Sequence, residues 1–308
     1  MRAAAVFALA AALCRAQPAI RVNVQLVNMG FSVRDAQGKL VSDLKQDDFE
    51  VTEDGIPQKI AFFARSAEIP LSLGLLVDIS GSQGSFLKQH GRDLKAFLSS
   101  VLSPRDRAFL VCFASRPRLV ADYSASGRNL VEALDGYEAL HDKSGYPILG
   151  PLEIPAGGTV FYDAIYHSAV QMFQSVQGSR RALIIFSDGE DNASAHHMLD
   201  AIEASQANDV LLFCIRYTEI KAGRLNSRNK YGTSVMARLS LETGGADFDA
   251  RAKDLSEHFH EIGEQLRSSY ELAYHSTNPD RDQAFRKVKI TMKQPGFVIR
   301  SKTGYYAR

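Results

Sequence analysis

The sequence predicts an α/β domain built on a mostly parallel sheet, with a small β module that the two ends of the chain form together. Two observations support this fold class. From residue 71 to about 270, apolar runs of strand length alternate with segments of helical periodicity, a pattern typical of a parallel sheet covered by helices on both faces. Residues 20–66 and 270–308 instead contain short alternating runs, and each stretch is too thin to form a core alone.

The first sixteen residues are typical of an export signal. Arg2 is followed by an almost wholly apolar run from Ala3 to Leu13, and the small residue Ala16 offers a cleavage site. The run is too short to span a bilayer, and no later segment reaches that length. We therefore expect residues 1–16 to be removed and the remaining chain, which has no transmembrane segment, to be periplasmic, at the cell surface or extracellular. A buried N-terminal helix is the alternative.

The segments 17–69 and 270–308 are predicted to pack together as the β module. Residues 17–69 alternate apolar and polar residues, with turn chemistry at 35–38 and 54–55, as antiparallel strands do. The C-terminal segment returns to strands, which we predict at 270–275, 285–292 and 297–301. The two segments together supply about six strands, enough for a small sandwich. Two independent decorations on the edge of the α/β domain are the alternative.

Residues 70–269 are predicted to form one α/β domain. Its predicted strands lie at 71–78, 109–114, 119–123, 182–186, 210–216 and 246–249. Its predicted helices lie at 85–101, 128–140, 159–176, 195–207, 232–242 and 254–270. The first strand is a near-continuous apolar run, as expected for a strand that is covered on both faces. Cys112 and Cys214 lie in similar runs, so we expect buried thiols rather than a disulfide.

The composition excludes two broad classes of protein. Of the 308 residues, 45% are hydrophobic and 23% are charged, which is ordinary for a globular protein and rules out bulk disorder. The 36 basic and 35 acidic residues give a net charge of +1, so the basic excess of a nucleic-acid-binding protein is missing. We therefore expect no nucleic-acid partner.

Carboxylate and hydroxyl side chains gather where the predicted elements of the sheet end. Asp78, Ser80 and Ser82 follow the first parallel strand, and alternate side chains of an extended loop point the same way. Thr159 follows a glycine pair before a predicted helix, and Asp188 follows another buried strand. Open α/β sheets bind ligands at the carboxyl ends of their strands. Because these are hard oxygen donors, they predict a site for Mg²⁺ (or Mn²⁺).

These segments resemble the metal-ion-dependent adhesion site of von Willebrand factor type A domains. The match consists of Asp78-x-Ser80-x-Ser82, then Thr159 after a Gly-Gly pair, then Asp188 in a Ser-Asp-Gly-Glu turn. It covers about residues 71–270. The stretches Asp48–Gly55 and Ser269–Tyr274 are similar to those of a bacterial subgroup of von Willebrand factor type A-related proteins, which extends the resemblance over nearly the whole mature chain. The resemblance implies a Rossmann-like domain.

The resemblance also implies a role for each matched residue. Asp78 belongs to the first metal-binding segment, in which the hydroxyls of Ser80 and Ser82 are direct ligands. Thr159 binds the metal directly or moves in when a partner arrives, and Asp188 acts directly or through a water molecule. The coordination position left open accepts an Asp or Glu carboxylate of a partner protein, because a divalent charge that is only partly neutralised attracts an outside anion.

Three acidic residues close to these positions carry further expectations. Asp163 either caps a helix or orients a metal-bound water, and we favour capping. Glu190 and Asp191 are interpreted as part of a solvated face rather than as a specificity element. The basic loop at 221–230 is assigned no function.

The motifs of several enzyme classes are missing from the sequence. A nucleophile elbow needs a glycine two residues before its serine, and Ser80 occupies that place relative to Ser82. A phosphatase with an aspartyl nucleophile would carry a second aspartate at position 80, and no P-loop motif occurs. No catalytic residue is therefore predicted.

The histidine pairs invite a zinc interpretation. In His258-x-His260 the two side chains point to different sides of a predicted helix, so joint ligation is not expected there. We interpret these histidines and the pair His196-His197 as surface or half-buried residues rather than metal ligands.

Taken together, the residues and the resemblance predict an exported, metal-dependent protein-binding module for adhesion or assembly, and not an enzyme. The alternative is a structural protein that pairs with a partner through the edges of its β module, in which the metal only stabilises the fold.

Overall fold

The computed structural model describes residues 26–66, 69–151, 157–218, 224–251 and 255–307. The predicted export signal at 1–16 lies outside the described residues. The strands are β1 (Leu26–Arg34), β2 (Phe49–Glu53), β3 (Ile56–Gln58), β4 (Ile60–Ser66), β5 (Leu71–Asp78), β6 (Arg107–Phe113), β7 (Pro117–Ser124), β8 (Arg180–Ser187), β9 (Val210–Arg216), β10 (Ala246–Asp249), β11 (Ser269–His275), β12 (Phe285–Met292), β13 (Val298–Ser301) and β14 (Gly304–Tyr306). The helices are α1 (Leu87–Val101), α2 (Gly127–Ala139), α3 (Phe161–His167), α4 (Met198–Ala207), α5 (Ser227–Thr243) and α6 (Leu255–Arg267).

A six-stranded sheet of order β10-β9-β8-β5-β6-β7 forms the centre of the α/β domain. All neighbouring strands in it are parallel except β7, which runs antiparallel at one edge. Strand β5 is buried along its whole length, as its apolar sequence predicts. The chain passes from β5 to β6 on one side and later returns to β8 on the other, so the strand order reverses at β5. Such a switch point leaves a crevice for ligands at the carboxyl ends of the strands.

Helices cover both faces of this sheet. On one face α1, α2 and α6 pack against it, with Phe97, Leu130 and Phe259 in the shared core. On the other face α3, α4 and α5 do so, with Phe161 and Val235 in that core. The predicted α/β fold with a mostly parallel sheet is therefore confirmed.

The two ends of the chain build a sandwich of two four-stranded sheets, ordered β13-β1-β11-β4 and β14-β12-β2-β3. Strand β11 from the C-terminal segment lies between β1 and β4, and β12 pairs with β2. Each sheet thus needs both ends of the chain, with the rings of Phe31, Phe49 and Tyr270 packed between the sheets. The predicted joint β module is confirmed, and the alternative of two independent decorations is wrong. The boundaries after residues 69 and 269 stay predictions.

A buried carboxylate links the two sheets of the sandwich. Glu53 at the end of β2 is 2% exposed. It accepts hydrogen bonds from the hydroxyls of Tyr274 (2.7 Å), Ser276 (2.7 Å) and Tyr305 (3.0 Å). Because buried carboxylates need such partners, this network holds the N-terminal strand to two C-terminal ones.

The structure differs from the predicted elements in a few places. The sandwich has eight strands among the described residues rather than about six, because β3 and β14, three residues each, are too short to show a period. The helix predicted from residue 159 begins at Phe161 and continues as a π-helical turn over Ser168–Met172. Cys112 and Cys214 are buried free thiols, as predicted. Across the described ranges, no helix is both long and apolar enough to cross a membrane.

Candidate metal centre

The candidate metal centre lies at the switch point of the sheet. Asp78 is the last residue of β5, and Asp188 directly follows β8. The two strands are parallel neighbours, with Val77 opposite Phe186. Both carboxylates therefore reach the same edge of the sheet, where the crevice between β5 and β8 opens.

The loop after β5 brings Asp78, Ser80 and Ser82 to one place. One Asp78 oxygen, Oδ1, accepts a 2.9 Å hydrogen bond from the Ser80 amide, and the other, Oδ2, accepts a 2.6 Å bond from the Ser187 hydroxyl. Ser80 is extended, but Gly81–Gln83 form a turn of 3-10 helix, so the extended loop predicted for Asp78 to Ser82 is wrong after Ser80. The hydroxyl oxygens of Ser80 and Ser82 lie 3.2 Å apart. Asp78 and Ser80 are buried, whereas Ser82 is exposed.

Asp188 completes a tight group of oxygens. Its Oδ2 accepts hydrogen bonds of 2.7 Å from the Ser82 hydroxyl and from the Gln83 amide nitrogen Nε2. Its Oδ1 accepts a 3.0 Å bond from the Glu190 backbone. An octahedral Mg²⁺ with bonds of 2.0–2.1 Å separates adjacent ligand oxygens by about 2.9 Å. The spacing from Ser80 to Ser82 and from Ser82 to Asp188 fits that requirement.

Thr159 is held beside the Asp188 segment through Asn192. The Thr159 amide donates to Asn192 Oδ1 at 2.7 Å, and the Thr159 carbonyl accepts from the amides of Asn192 (3.1 Å) and Ala193 (3.2 Å). Gly158 before it has φ +81°, and a Cβ there would lie 2.5 Å from Asn192 Oδ1. Gly158 therefore lets the Thr159 loop approach the loop that follows β8.

A second close approach holds the Asp188 loop against α5. A Cβ added at Gly232 would lie 2.2 Å from the Asp188 carbonyl oxygen. Gly189 has φ +76°, and a Cβ there would lie 2.7 Å from the Gly232 carbonyl oxygen. Two glycines thus allow the backbones to touch.

The electrostatics of the centre favour a cation. Burial raises the pKa of Asp78 from 3.8 to about 7, and the nearby charge of Asp188 acts in the same direction. The hydrogen bonds from Ser187 and Ser80 oppose this rise. A divalent ion would supply the opposite charge that two close carboxylates need to stay ionised together.

Three side chains that the sequence pattern does not single out hold the candidate centre together. Gln83 is 1% exposed, and its Nε2 bridges Asp188 to the Tyr217 carbonyl oxygen at 3.2 Å. Ser187 binds Asp78, and Asn192 holds Thr159. Ser187 stands beside Asp188 in the Ser-Asp-Gly-Glu turn, so the sequence could have indicated its role in the centre. Gln83 and Asn192 belong to no motif that would have indicated theirs.

Two acidic neighbours accept hydrogen bonds from backbone amides of other segments. Asp191 Oδ1 accepts hydrogen bonds from the amides of Phe161 (2.8 Å) and Tyr162 (3.3 Å), so it caps the start of α3. The expectation of a solvated face is therefore wrong for Asp191, because these two amides have no partner within the helix. Asp163 accepts from the amides of Ala195 (3.0 Å) and His196 (2.9 Å), in the turn before α4. Asp163 therefore holds the turn before α4 and caps no helix, because both amides precede His197, the N-cap residue of α4.

No protein-family model matches the sequence, and no curated protein matches it. Solved structures do resemble the fold. One is a serine-substituted aerotolerance-related membrane protein from Bacteroides fragilis, with 14% identity over 64% of this chain and 98% of that chain and a TM-score of 0.48. A von Willebrand factor type A protein from Catenulispora acidiphila has 13% identity over 92% of this chain and 74% of that chain, with a TM-score of 0.47.

A third similar structure is proximal thread matrix protein 1 from the mussel byssus, described with a zinc-occupied MIDAS motif. Its identity is 15% over 70% of this chain and 49% of that chain, with a TM-score of 0.46. In this chain, the central sheet has six mostly parallel strands and helices on both faces. The segments that carry Asp78, Thr159 and Asp188 follow one another along the sequence and lie at the carboxyl edge of that sheet. The central domain thus has the Rossmann-like α/β fold that the sequence resemblance implies.

Proposed function

We propose that the central domain is a metal-dependent protein-binding module. Asp78, Ser80, Ser82, Thr159 and Asp188 would hold Mg²⁺ (or Mn²⁺), and the bound ion would accept a carboxylate oxygen from an Asp or Glu of a partner protein. The observation that supports this most directly is the short contact of Ser82 with both Ser80 and Asp188, at 3.2 and 2.7 Å. These oxygens come from both sides of the switch point.

Each side chain of the centre would have a physical task. The buried Asp78 would orient the loop through Ser80 and Ser187 and contribute negative charge. Two carboxylates balance a divalent ion, so an incoming carboxylate would not be strongly repelled. Ser82 is exposed, which leaves the side of the centre that it occupies open to a partner.

The wider setting is part of the same proposal. The apolar N-terminal run favours export to the periplasm, the cell surface or the medium, where the module would serve adhesion or assembly. We propose no catalytic residues, because the centre pairs its hydroxyls with carboxylates and its sequence lacks a nucleophile motif.

Calorimetric titration of Mg²⁺ and Mn²⁺ into the purified protein tests the metal half of the proposal. We expect saturable binding by the wild type and its loss in Asp78→Ala, because that change removes a buried carboxylate of the centre. Asp122→Ala is the matched control, since Asp122 is an exposed aspartate on the edge strand β7. A wild type that binds neither ion, or an Asp78→Ala protein that binds as the wild type does, would contradict the proposal.

The partner half needs a separate measurement. Fluorescent peptides that each carry one Asp or Glu are compared with matched peptides carrying Asn or Gln, in Mg²⁺ and after chelation. Binding should require both the carboxylate and the metal. If the metal binds but the Asp or Glu peptides bind no better than their Asn or Gln counterparts, the centre binds a metal but does not recognise a partner carboxylate.

Strand addition to the β module is the second candidate function. Strand β4 lies at the edge of its sheet, and its Phe62 side chain is 53% exposed. An exposed edge strand can pair with a strand of another protein. Binding of this kind should survive both a chelator and Asp78→Ala, whereas metal-mediated binding should not.

A further inference from the structure

We propose that Asp163, His167 and His196 form a second metal site, distinct from the oxygen-donor centre and suited to Zn²⁺ or a similar transition metal. One potential ligand atom from each of the three residues lies within 4.8 Å of the other two. Asp163 and His167 occupy neighbouring turns of α3, and His196 stands in the turn that enters α4. The site would therefore join two segments of the domain.

The carboxylate of Asp163 is the buried anchor of this cluster. Its side chain is 1% exposed, and its Oδ1 shares a 2.7 Å hydrogen bond with His196 Nδ1, which a bound ion would replace. Its Oδ2 accepts a 3.0 Å hydrogen bond from the Ala195 amide. Hydrogen bonds of this kind from outside the ligand set orient a ligating carboxylate.

His167 supplies an independent observation that points to a ligand. The residue is 6% exposed, and its Nε2 is buried with no hydrogen-bond partner in the described part of the chain. A buried ring nitrogen without a partner loses the hydrogen bonds it would make to water. Gly150 leaves room for the ring, because a Cβ there would lie 2.4 Å from Nε2.

His196 closes the cluster and gives it access to solvent. Its ring stacks on Tyr166 with centroids 3.7 Å apart, which limits its rotation. The rings of His167 and His196 are 5.2 Å apart and nearly perpendicular. Because the His196 side chain is 26% exposed, an ion and a water ligand can reach the cluster from that side.

The donor set selects the kind of metal. Two imidazoles and one carboxylate, with a fourth position for water, form a ligand set that Zn²⁺ takes in proteins. In a tetrahedral site with bonds near 2.0 Å, ligand atoms are about 3.4 Å apart, so small side-chain rotations would bring this cluster to bonding distance. Mg²⁺ prefers oxygen ligands, so it would not compete here. The proposal of this second site therefore does not depend on the proposed function.

Zn²⁺ titration of the purified protein in excess Mg²⁺ tests the site. We expect the wild type to bind one Zn²⁺ per chain under these conditions and to show, with Co²⁺, the visible absorption of a low-symmetry site with nitrogen ligands. His196→Asn should weaken Zn²⁺ binding by more than the roughly 10–100-fold typical of changes outside the ligand set. His260→Asn is the matched control, because His260 is an exposed histidine on α6.

Circular dichroism shows whether each variant is folded. Should His196→Asn fail to fold, His167→Gln serves as the second variant. A wild type that binds no Zn²⁺ in excess Mg²⁺ would overturn the proposal. So would a folded His196→Asn or His167→Gln protein that binds Zn²⁺ as tightly as the wild type does.

Discussion

The Ser82 hydroxyl donates a 2.7 Å hydrogen bond to Asp188 Oδ2, across 106 residues of sequence. The contact joins the loop after β5 to the loop after β8, which are neighbouring strands of the central sheet. The strand order reverses at this point, so the fold leaves a crevice there. The contact therefore spans the place where a ligand would enter, and Ser82 is the exposed member of the pair.

Ser82→Ala should weaken Mg²⁺ binding at least tenfold while lowering the free energy of unfolding by only about 1 kcal/mol, the usual worth of one hydrogen bond. The change removes an oxygen donor but alters an exposed side chain only. Calorimetric titration gives the affinity, and urea unfolding gives the stability. Ser85→Ala, at a nearby exposed serine outside the centre, is the control. Equal Mg²⁺ affinity in the Ser82→Ala and wild-type proteins would remove Ser82 from the metal site.

Gly232→Ala should displace the Asp188 loop and so weaken the candidate metal centre. The added Cβ would lie 2.2 Å from the Asp188 carbonyl oxygen, so either α5 or the Asp188 loop must move. We expect unfolding to require about 2 kcal/mol less free energy and Mg²⁺ affinity to fall, both measured as above.

Gly91→Ala is the control for this change. Gly91 is a helical glycine of α1 at which a Cβ meets nothing within 4 Å. Alanine is favoured over glycine inside a helix by about 0.5–1 kcal/mol, so the control should be neutral or stabilising. If Gly232→Ala behaved as Gly91→Ala does, the contact between α5 and the Asp188 loop would not matter to the centre.

Local pattern predicted the strands that matter most for the centre. The run at 71–78 reads as a strand because a strand buried on both faces has only apolar positions. Asp78 and Asp188 then reach one edge because parallel neighbours end together. The sequence predicts that Ser80 and Ser82 meet, and their hydroxyls do, but the extended loop assumed for this is wrong because Gly81–Gln83 form a 3-10 turn.

The rest of the centre depends on contacts that no local pattern records. Gln83 meets Asp188 across 105 residues, and Asn192 meets Thr159 across 33. Nothing in the spacing of an isolated glutamine or asparagine predicts such a partner. The interpretation of Asp191 is wrong for the same reason, because the amides that donate to its carboxylate, at the start of α3, lie on another segment. Tertiary packing, rather than periodicity, decides these roles.

Glu53→Ala should destabilise the β sandwich by on the order of 3 kcal/mol. The hydroxyls of Tyr274, Ser276 and Tyr305 would lose a shared buried acceptor. Urea unfolding followed by tyrosine fluorescence measures the change. Glu50→Ala, an exposed residue of the same strand, should shift the free energy of unfolding by less than about 0.5 kcal/mol. A similar small shift for Glu53→Ala would mean that the network does not hold the two sheets together.

His90 should make the protein sensitive to acid. Its side chain is fully buried against Tyr217, with ring centroids 4.3 Å apart, and neither ring nitrogen has a hydrogen-bond partner in the described ranges. Burial lowers the pKa of His90 from 6.5 to about 4. Between pH 6.5 and about 4, His90 is therefore protonated in the unfolded chain but neutral in the folded chain. The free energy of unfolding falls as the pH drops through this range.

His90→Leu should remove this part of the acid sensitivity. The change in pKa corresponds to about 3 kcal/mol between the two pH limits, so the variant should lose about that much less stability than wild type on acidification. At neutral pH the variant should be as stable as wild type or more so, because a partnerless polar ring is replaced by an apolar side chain. Urea unfolding at about pH 7.5 and about pH 4.5 measures both effects, with His141→Leu, at an exposed position, as the control. An unchanged pH dependence in His90→Leu would show that His90 is protonated in the folded protein or that its burial does not oppose its charge.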